Sequence, residues 1–235
     1  MIESALLPVL LLLSPTPKEA PGREIYFEQT TLAFANGHPA GPGVRSRVWY
    51  SGKRMRLEAG SEVGGPALIL RLDQGKALRV DPEERVVVEM DMDSLKTRSQ
   101  MDLAMAGELM GAGEARTSEI AGSKSIAGYQ CRGFRISAGS AVMDLYVTRE
   151  IPLGVDAFAD FLEWSGASES LRGLLGEIRK LPGFPLETRS RISILGDLQE
   201  TVSTVTKVKL GGVPTALFEP PAGYAVRREE APPLP

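Results

Sequence analysis

The sequence predicts an α+β, mainly β protein: one strongly curved antiparallel sheet with a helical pair covering its concave face. Three observations carry this expectation. Apolar and polar residues alternate with period two along most of the chain, as strands with one wet face require. Turn-forming residues separate the alternating runs. Helical periodicity is confined to one late stretch lying between strands, so no βαβ alternation and no Rossmann or TIM architecture is expected.

The strand runs are explicit. Leu68, Leu70 and Leu72 share one face of the run Ala67–Leu72. Val86, Val88, Met90 and Met92 share one face of Arg85–Met92, with Glu89 and Asp91 opposite. Ala141, Met143, Leu145 and Val147 line up in Ala141–Thr148. In Leu186–Ile194, Leu186, Ile192 and Ile194 oppose Glu187, Arg189 and Arg191. Asp73-Gln74-Gly75-Lys76 and Asp81-Pro82-Glu83-Glu84 read as hairpin loops, and Ser51-Gly52-Lys53 as a further turn within Val44–Glu58. Around Gly133 the apolar phase changes from Tyr129/Cys131 to Phe134/Ile136, which predicts a bulge in that strand.

The helical stretches come next. Val155, Phe158, Phe161, Leu162 and Trp164 crowd one side of Asp156–Trp164. Leu171, Leu174, Leu175, Ile178 and Leu181 follow the i, i+3, i+4, i+7 spacing of an amphipathic helix over Glu169–Leu181, with Ser168 as its cap and Pro182-Gly183 as its stop. Ser94–Gly113 is Met- and Gly-rich and reads as a loop or a loose helix. The chain contains no internal repeat.

Composition excludes several function classes. The 235 residues carry 27 Lys and Arg against 30 Asp and Glu, a net charge of −3, without the cationic surplus that drives nucleic-acid binding. One cysteine, Cys131, leaves no intrachain disulfide and no thiolate metal cluster. One histidine, His38, excludes multi-His metal sites and lies in a loop-like Asn-Gly-His-Pro-Ala-Gly-Pro stretch. No G-x-S-x-G elbow and no G-x-x-x-x-G-K-[ST] phosphate cradle occurs. The pairs Arg45/Arg47 and Arg54/Arg56 read as solvated strand edges, and Cys131 as a buried, inert thiol in a strand. No enzyme activity, metal or cofactor is expected.

The termini are set apart from residues 23–228, which read as one domain. Ala5–Leu13 is an apolar run of nine residues, matching the hydrophobic region of an export signal and too short to span a bilayer. An uncleaved anchor and a cytoplasmic chain with an apolar start are the alternatives. A Pro-rich linker follows to Gly22, and residues 229–235 form a Pro-rich tail expected to be disordered.

An apolar surplus is the remaining functional signal. Met90, Met92, Met101, Met105 and Met110 cluster within 21 positions and would supply adaptable lining beside the sheet. Phe158, Phe161, Leu162 and Leu174 on the helical pair would face them. These nine residues are the candidate ligand-binding set; the competing reading is that they are ordinary core.

Several stretches in order resemble a bacterial envelope family catalogued as domain of unknown function 4412. They include Ile25–Thr31, Val48–Glu58, Val80–Glu83, Ile126–Cys131, Val147–Pro152, Phe184–Glu187 and Leu217–Tyr224. That family is similar to LolA-like lipoprotein carriers. The resemblance implies an open half-barrel plugged by helices on its concave side, and a periplasmic or secreted location. It implies no catalytic residues. The expected function is therefore a non-enzymatic envelope protein holding a lipid, acyl chain or lipoprotein anchor between sheet and helices, as a monomer. The alternatives are a filled module docking on another envelope protein, and a hydrolase with an unrecognised carboxylate pair.

Overall fold

The computed structural model describes residues 24–60, 64–91, 114–155, 172–194 and 196–229. The predicted export segment, the helix Asp156–Trp164, the stretch from Met92 to Gly113 and residues 230–235 lie outside the described residues.

The described residues form one large open, curved sheet. Its strands in chain order are β1 (Glu24–Ala35), β2 (His38–Pro39), β3 (Val44–Ser51), β4 (Arg54–Ala59), β5 (Ala67–Arg71), β6 (Lys76–Asp81) and β7 (Val86–Asp91). After these come β8 (Arg116–Ile126), β9 (Tyr129–Ala138), β10 (Ala141–Thr148), α1 (Arg172–Ile178), β11 (Phe184–Ile194), β12 (Asp197–Leu210) and β13 (Ala225–Arg228). A one-turn 3-10 helix spans Thr215–Phe218. The sheet runs β13-β7-β6-β5-β4-β3-β1-β12-β11-β10-β9-β8, with β2 beside β1.

Two antiparallel meanders thus meet where β1 pairs β12, with Tyr26 opposite Lys209 and Thr30 opposite Thr204. Among the described residues only β13 enters in parallel, against β7. The turns follow the sequence expectation. Between β6 and β7, Asp81 Oδ1 accepts the amides of Glu83 and Glu84, both at 3.0 Å, the local bonding that suits Asp to a turn. Of the predicted helical pair the described residues contain α1. No helix among them is long and apolar enough to cross a membrane.

The bulge expected at Gly133 lies instead in the neighbouring strand. Pairing of β9 with β10 is regular through Gly133, while β8 slips between Ile120 and Ser123 opposite it. The apolar phase changes because β9 buries opposite faces at its two ends. Cys131 belongs to one apolar cluster and Ile136 to another. Gly133 is required by close approach: a Cβ there would lie 2.9 Å from both Ile120 Cβ and Tyr146 Cε1.

The registers sort side chains onto two faces. On one, Arg47, Glu58 and Ala67 stand in line across β3, β4 and β5, with Trp49, Arg56 and Ile69 beside them. On the other, Tyr50, Met55, Leu70, Ala77 and Met90 stand in line from β3 to β7. The first face continues from Thr30 through Thr204 and Glu187 to Tyr146. Leu145, next to Tyr146 and packed with α1, therefore belongs to the second face, the apolar one.

Candidate functional site

The apolar face holds what the described residues retain of the predicted ligand site. Met90 is buried in a cluster with Leu70 and Ala77. Around these, Met55, Leu68, Leu72 and Val88 are half-buried. Leu174 is half-buried on α1, against a second cluster formed by Ile136, Leu145, Val147, Leu175 and Ile178. Met90 and Leu174 thus share a face of the sheet but not a cluster. Met92, Met101, Met105, Met110, Phe158, Phe161 and Leu162 lie outside the described residues.

The helix covers one end of this face. Its apolar stripe of Leu175 and Ile178, with Leu181 beyond its end, packs on β9 and β10. The Met90 cluster sits at the far end, on β5 to β7. Both ends carry methionine beside branched residues: Met143 near Leu145 and Leu175 under α1, and Met55 and Met90 near Leu70 at the other end, unbranched thioethers that adapt to shape.

The reverse face is built from buried charge, which corrects the sequence reading for Arg47 and Arg56, while Arg45 is exposed as expected. Arg56 is only 7% exposed and Glu58 3%, because β3 and β4 lie inside the sheet rather than at its edge. Arg56 Nε donates to Glu58 Oε1 at 2.8 Å, and Arg47 Nη2 stands 3.3 Å from Glu58 Oε2 without hydrogen-bond alignment. Alternation alone reads such residues as wet. Nothing local reveals that the segment from Gly211 to Tyr224 folds back over this face. There Val213 and Phe218 pack on Ile69, Leu78, Val80 and Val87.

Arginines tie that segment down. Arg56 Nη1 donates to the Leu217 carbonyl at 3.1 Å, and Arg71 Nη1 to the Phe218 carbonyl at 3.4 Å and to the Glu219 carboxylate. Arg71 also grips Asp73 through two hydrogen bonds of 2.9 Å, which hold the Asp73 carboxyl below its ordinary pKa. The Arg54 guanidinium lies 5.4 Å above the Phe218 ring.

Further along the same face, Glu187 is buried, contrary to the expected wet side of β11, and accepts from Lys124 Nζ at 2.7 and 2.6 Å and from the Thr204 hydroxyl at 3.2 Å. Asp144 accepts from Arg135 at 2.6 and 2.8 Å and from Arg191 at 2.6 Å. Burial would raise the Asp144 pKa, but these guanidiniums outweigh it and hold the carboxyl below its ordinary value. Among the described residues these carboxylates are paired with cations and form ion-pair networks.

Cys131 is fully buried. Burial, followed by the charges of Glu150 and Glu187, pushes its thiol up to about 11. At neutral pH it is therefore a thiol and not a thiolate, and the thiolate is the reacting form. A water-soluble disulfide reagent should label native Cys131 slowly and label it at the ordinary rate once denaturant unfolds the chain. Equal rates in the two states would contradict the buried position.

Comparison with known proteins bears on family. No curated protein matches the chain. A solved structure of PNGF-II superposes with a TM-score of 0.41 at 13% identity, over 88% of this chain and 31% of that one; the chain spans about a third of that protein's length. A structure of MucB gives a TM-score of 0.45 at 13% identity, covering 90% of this chain and 63% of that one. A putative outer membrane lipoprotein-sorting protein domain from Vibrio parahaemolyticus gives 0.36 at 7% identity, covering 85% and 90%. The family described as "Domain of unknown function (DUF4412)" matches residues 45–224, from β3 to the end of the segment that closes the reverse face, and the chain belongs to that family.

Proposed function

We propose that this protein is a non-catalytic envelope protein, exported through its N-terminal apolar segment, that holds an acyl chain, a lipid or a lipoprotein anchor against the apolar face of its sheet. One observation carries the reading. The apolar face extends from Met90 on β7 to Leu145 on β10, and among the described residues helix α1 covers only its β9–β10 end. At the other end Met55, Leu68, Leu72 and Val88 form a half-buried apolar strip, and the exposed Arg79 of β6 stands between Leu68 and Val88 on the same face. Such a strip offers dispersion contacts and dehydration along its length with one cation beside it, which suits the hydrocarbon chain of an amphipathic ligand.

The energetics set the ligand length. Each methylene withdrawn from water contributes about 0.8 kcal/mol, so affinity must grow steadily with chain length. Displacement of an environment-sensitive dye by saturated fatty acids of increasing length tests this. Affinity should rise with each added pair of carbons, and Leu72→Asp or Met55→Asp should weaken it while the fold, followed by its melting transition, persists. Failure of the dye to bind, or affinity independent of length, would make the protein a filled module that docks on another envelope protein.

A further inference from the structure

The reverse face carries a second, polar cavity of about 460 Å³ between β1, β3 and the bulged end of β12. Its walls include Tyr26, Thr30, Arg45, Ser46, Arg47 and Thr206. That volume lies within the range of small-molecule sites. We propose that this cavity binds the oxyanion, phosphate or carboxylate, of a small hydroxylated molecule, with Arg45 and Arg47 as its charge-recognising residues.

Charge balance supports an anion. Of the charged residues lining the cavity two are arginines, Arg45 and Arg47, and one is a carboxylate, Glu28, in a chain whose net charge is −3. The carboxylate that lines the cavity is already neutralised: Glu28 accepts from Lys207 Nζ at 3.0 Å and from the Tyr26 hydroxyl at 2.7 Å. Glu58 is shared by two arginines, so neither receives a full counter-charge from it.

Hydrogen bonding points the same way. Among the described residues, Arg47 Nε and Nη2 are buried without a hydrogen-bond partner. A buried donor left unsatisfied costs about 1–3 kcal/mol and calls for an explanation, such as an acceptor that arrives with a ligand. Arg45 is exposed and makes no ion pair among the described residues. Two guanidiniums two residues apart on one strand face can converge on one oxyanion, and guanidinium geometry suits phosphate and carboxylate. The remaining walls include Thr30, on the same face as the two arginines, and Thr206, whose hydroxyls suit a hydroxylated ligand body. The slip in register that leaves Thr206 between the residues opposite Glu28 and Gln29 opens the sheet at this point, and Thr206 Oγ1 spends its proton on the Glu28 carbonyl at 3.2 Å. This inference is independent of the apolar-ligand reading, since the two sites lie on opposite faces of the sheet.

The test is calorimetric titration of the full chain at low ionic strength with glucose 6-phosphate, with glucose, and with phosphatidylglycerol vesicles. The variant is Arg45→Gln, an exposed position whose change leaves the fold intact by melting. The control is Arg116→Gln, an exposed arginine on the distant strand β8. Glucose 6-phosphate should bind, glucose should not, Arg45→Gln should weaken binding by at least about tenfold, and Arg116→Gln should leave it unchanged. Binding of the vesicles alone, with the same dependence on Arg45, would identify the oxyanion as a lipid headgroup. Absence of binding in every arm, equal binding of glucose and its phosphate, or equal losses in the two variants would overturn the proposal.

Discussion

Replacing Phe218 with Ala is expected to destabilise the protein by about 3–5 kcal/mol. Phe218 is fully buried, and its ring is the largest completely enclosed side chain among the described residues. It fills the space between the returning C-terminal segment and three strands, against Ile69 of β5, Leu78 and Val80 of β6 and Val87 of β7. The cavity left by its loss cannot collapse readily. The backbone on one side is held by Arg71 at the Phe218 carbonyl and by Arg56 at the Leu217 carbonyl, and the strands on the other side are held by their ladders. The loss has a second part, because Arg54 would no longer lie over an aromatic ring. For a chain of this size the melting midpoint should fall by about 10 °C, read by calorimetry or circular dichroism. The neighbouring Leu217→Ala, at a half-buried position, should cost clearly less. A midpoint for Phe218→Ala within a degree of the parent would mean that the segment is not packed on the sheet.

That segment also explains which parts of the structure were legible in the sequence. Strands such as Ala141–Thr148 and turns such as Asp81-Pro82-Glu83-Glu84 are encoded locally. Side-chain alternation and turn chemistry act over a few residues, and both were read correctly. Strand order is not local. The β1–β12 pairing joins Tyr26 to Lys209, and β13 adds to β7 in parallel; no periodicity within either strand specifies its partner. Burial of charge is equally non-local. Arg56 and Glu58 look solvated because alternation reports only that two residues share a face, not what covers that face. The available signal was a phase match: the arginines at 47 and 56 and the glutamate at 58 recur on faces that register brings together, and Val213, Leu217 and Phe218 supply apolar residues with no strand of their own to pack on.

Two of the nine candidate ligand-site residues lie among the described residues. Met90 does lie on the apolar face and Leu174 on the helix over that face, which is as far as period-two and period-3.6 patterns reach. That they belong to different clusters follows from the width of a sheet in which seven strands separate β7 from β10. The polar cavity was not legible at all. Its arginines were visible, but the slip at Thr206 that sets β12 out of step with β1 is a property of pairing between strands about 180 residues apart.

The second large effect is expected at Gly183, where α1 has ended and the chain turns into β11. Gly183 has φ of +131°, a conformation that side chains with a Cβ rarely adopt. A Cβ at this position would lie 2.2 Å from the Thr148 carbonyl oxygen, 2.7 Å from its carbonyl carbon and 3.2 Å from the Arg149 nitrogen. All three atoms are backbone, so no rotamer change can relieve the contact. Thr148 itself is 1% exposed at the end of β10, paired with Phe184, and cannot shift without opening the β10–β11 ladder. Backbone strain and steric overlap act together in Gly183→Ala, and a cost of about 3–5 kcal/mol is expected. Phe184 and Leu186, both buried just beyond, belong to the cluster around Ile25 and Cys131, so the damage should spread to that core. Cys131 then serves as a reporter: its labelling in the native state should accelerate in Gly183→Ala. Gly176 provides the internal contrast. It lies inside α1, where a Cβ meets nothing within 4 Å, so Gly176→Ala should stabilise the protein by up to about 1 kcal/mol through helix propensity. Unfolding in denaturant should therefore place the two Gly→Ala variants on opposite sides of the parent. If Gly183→Ala unfolds at the parent's midpoint, the chain does not cross the end of β10 at this distance, and the link between helix and sheet that positions α1 over the apolar face is wrong.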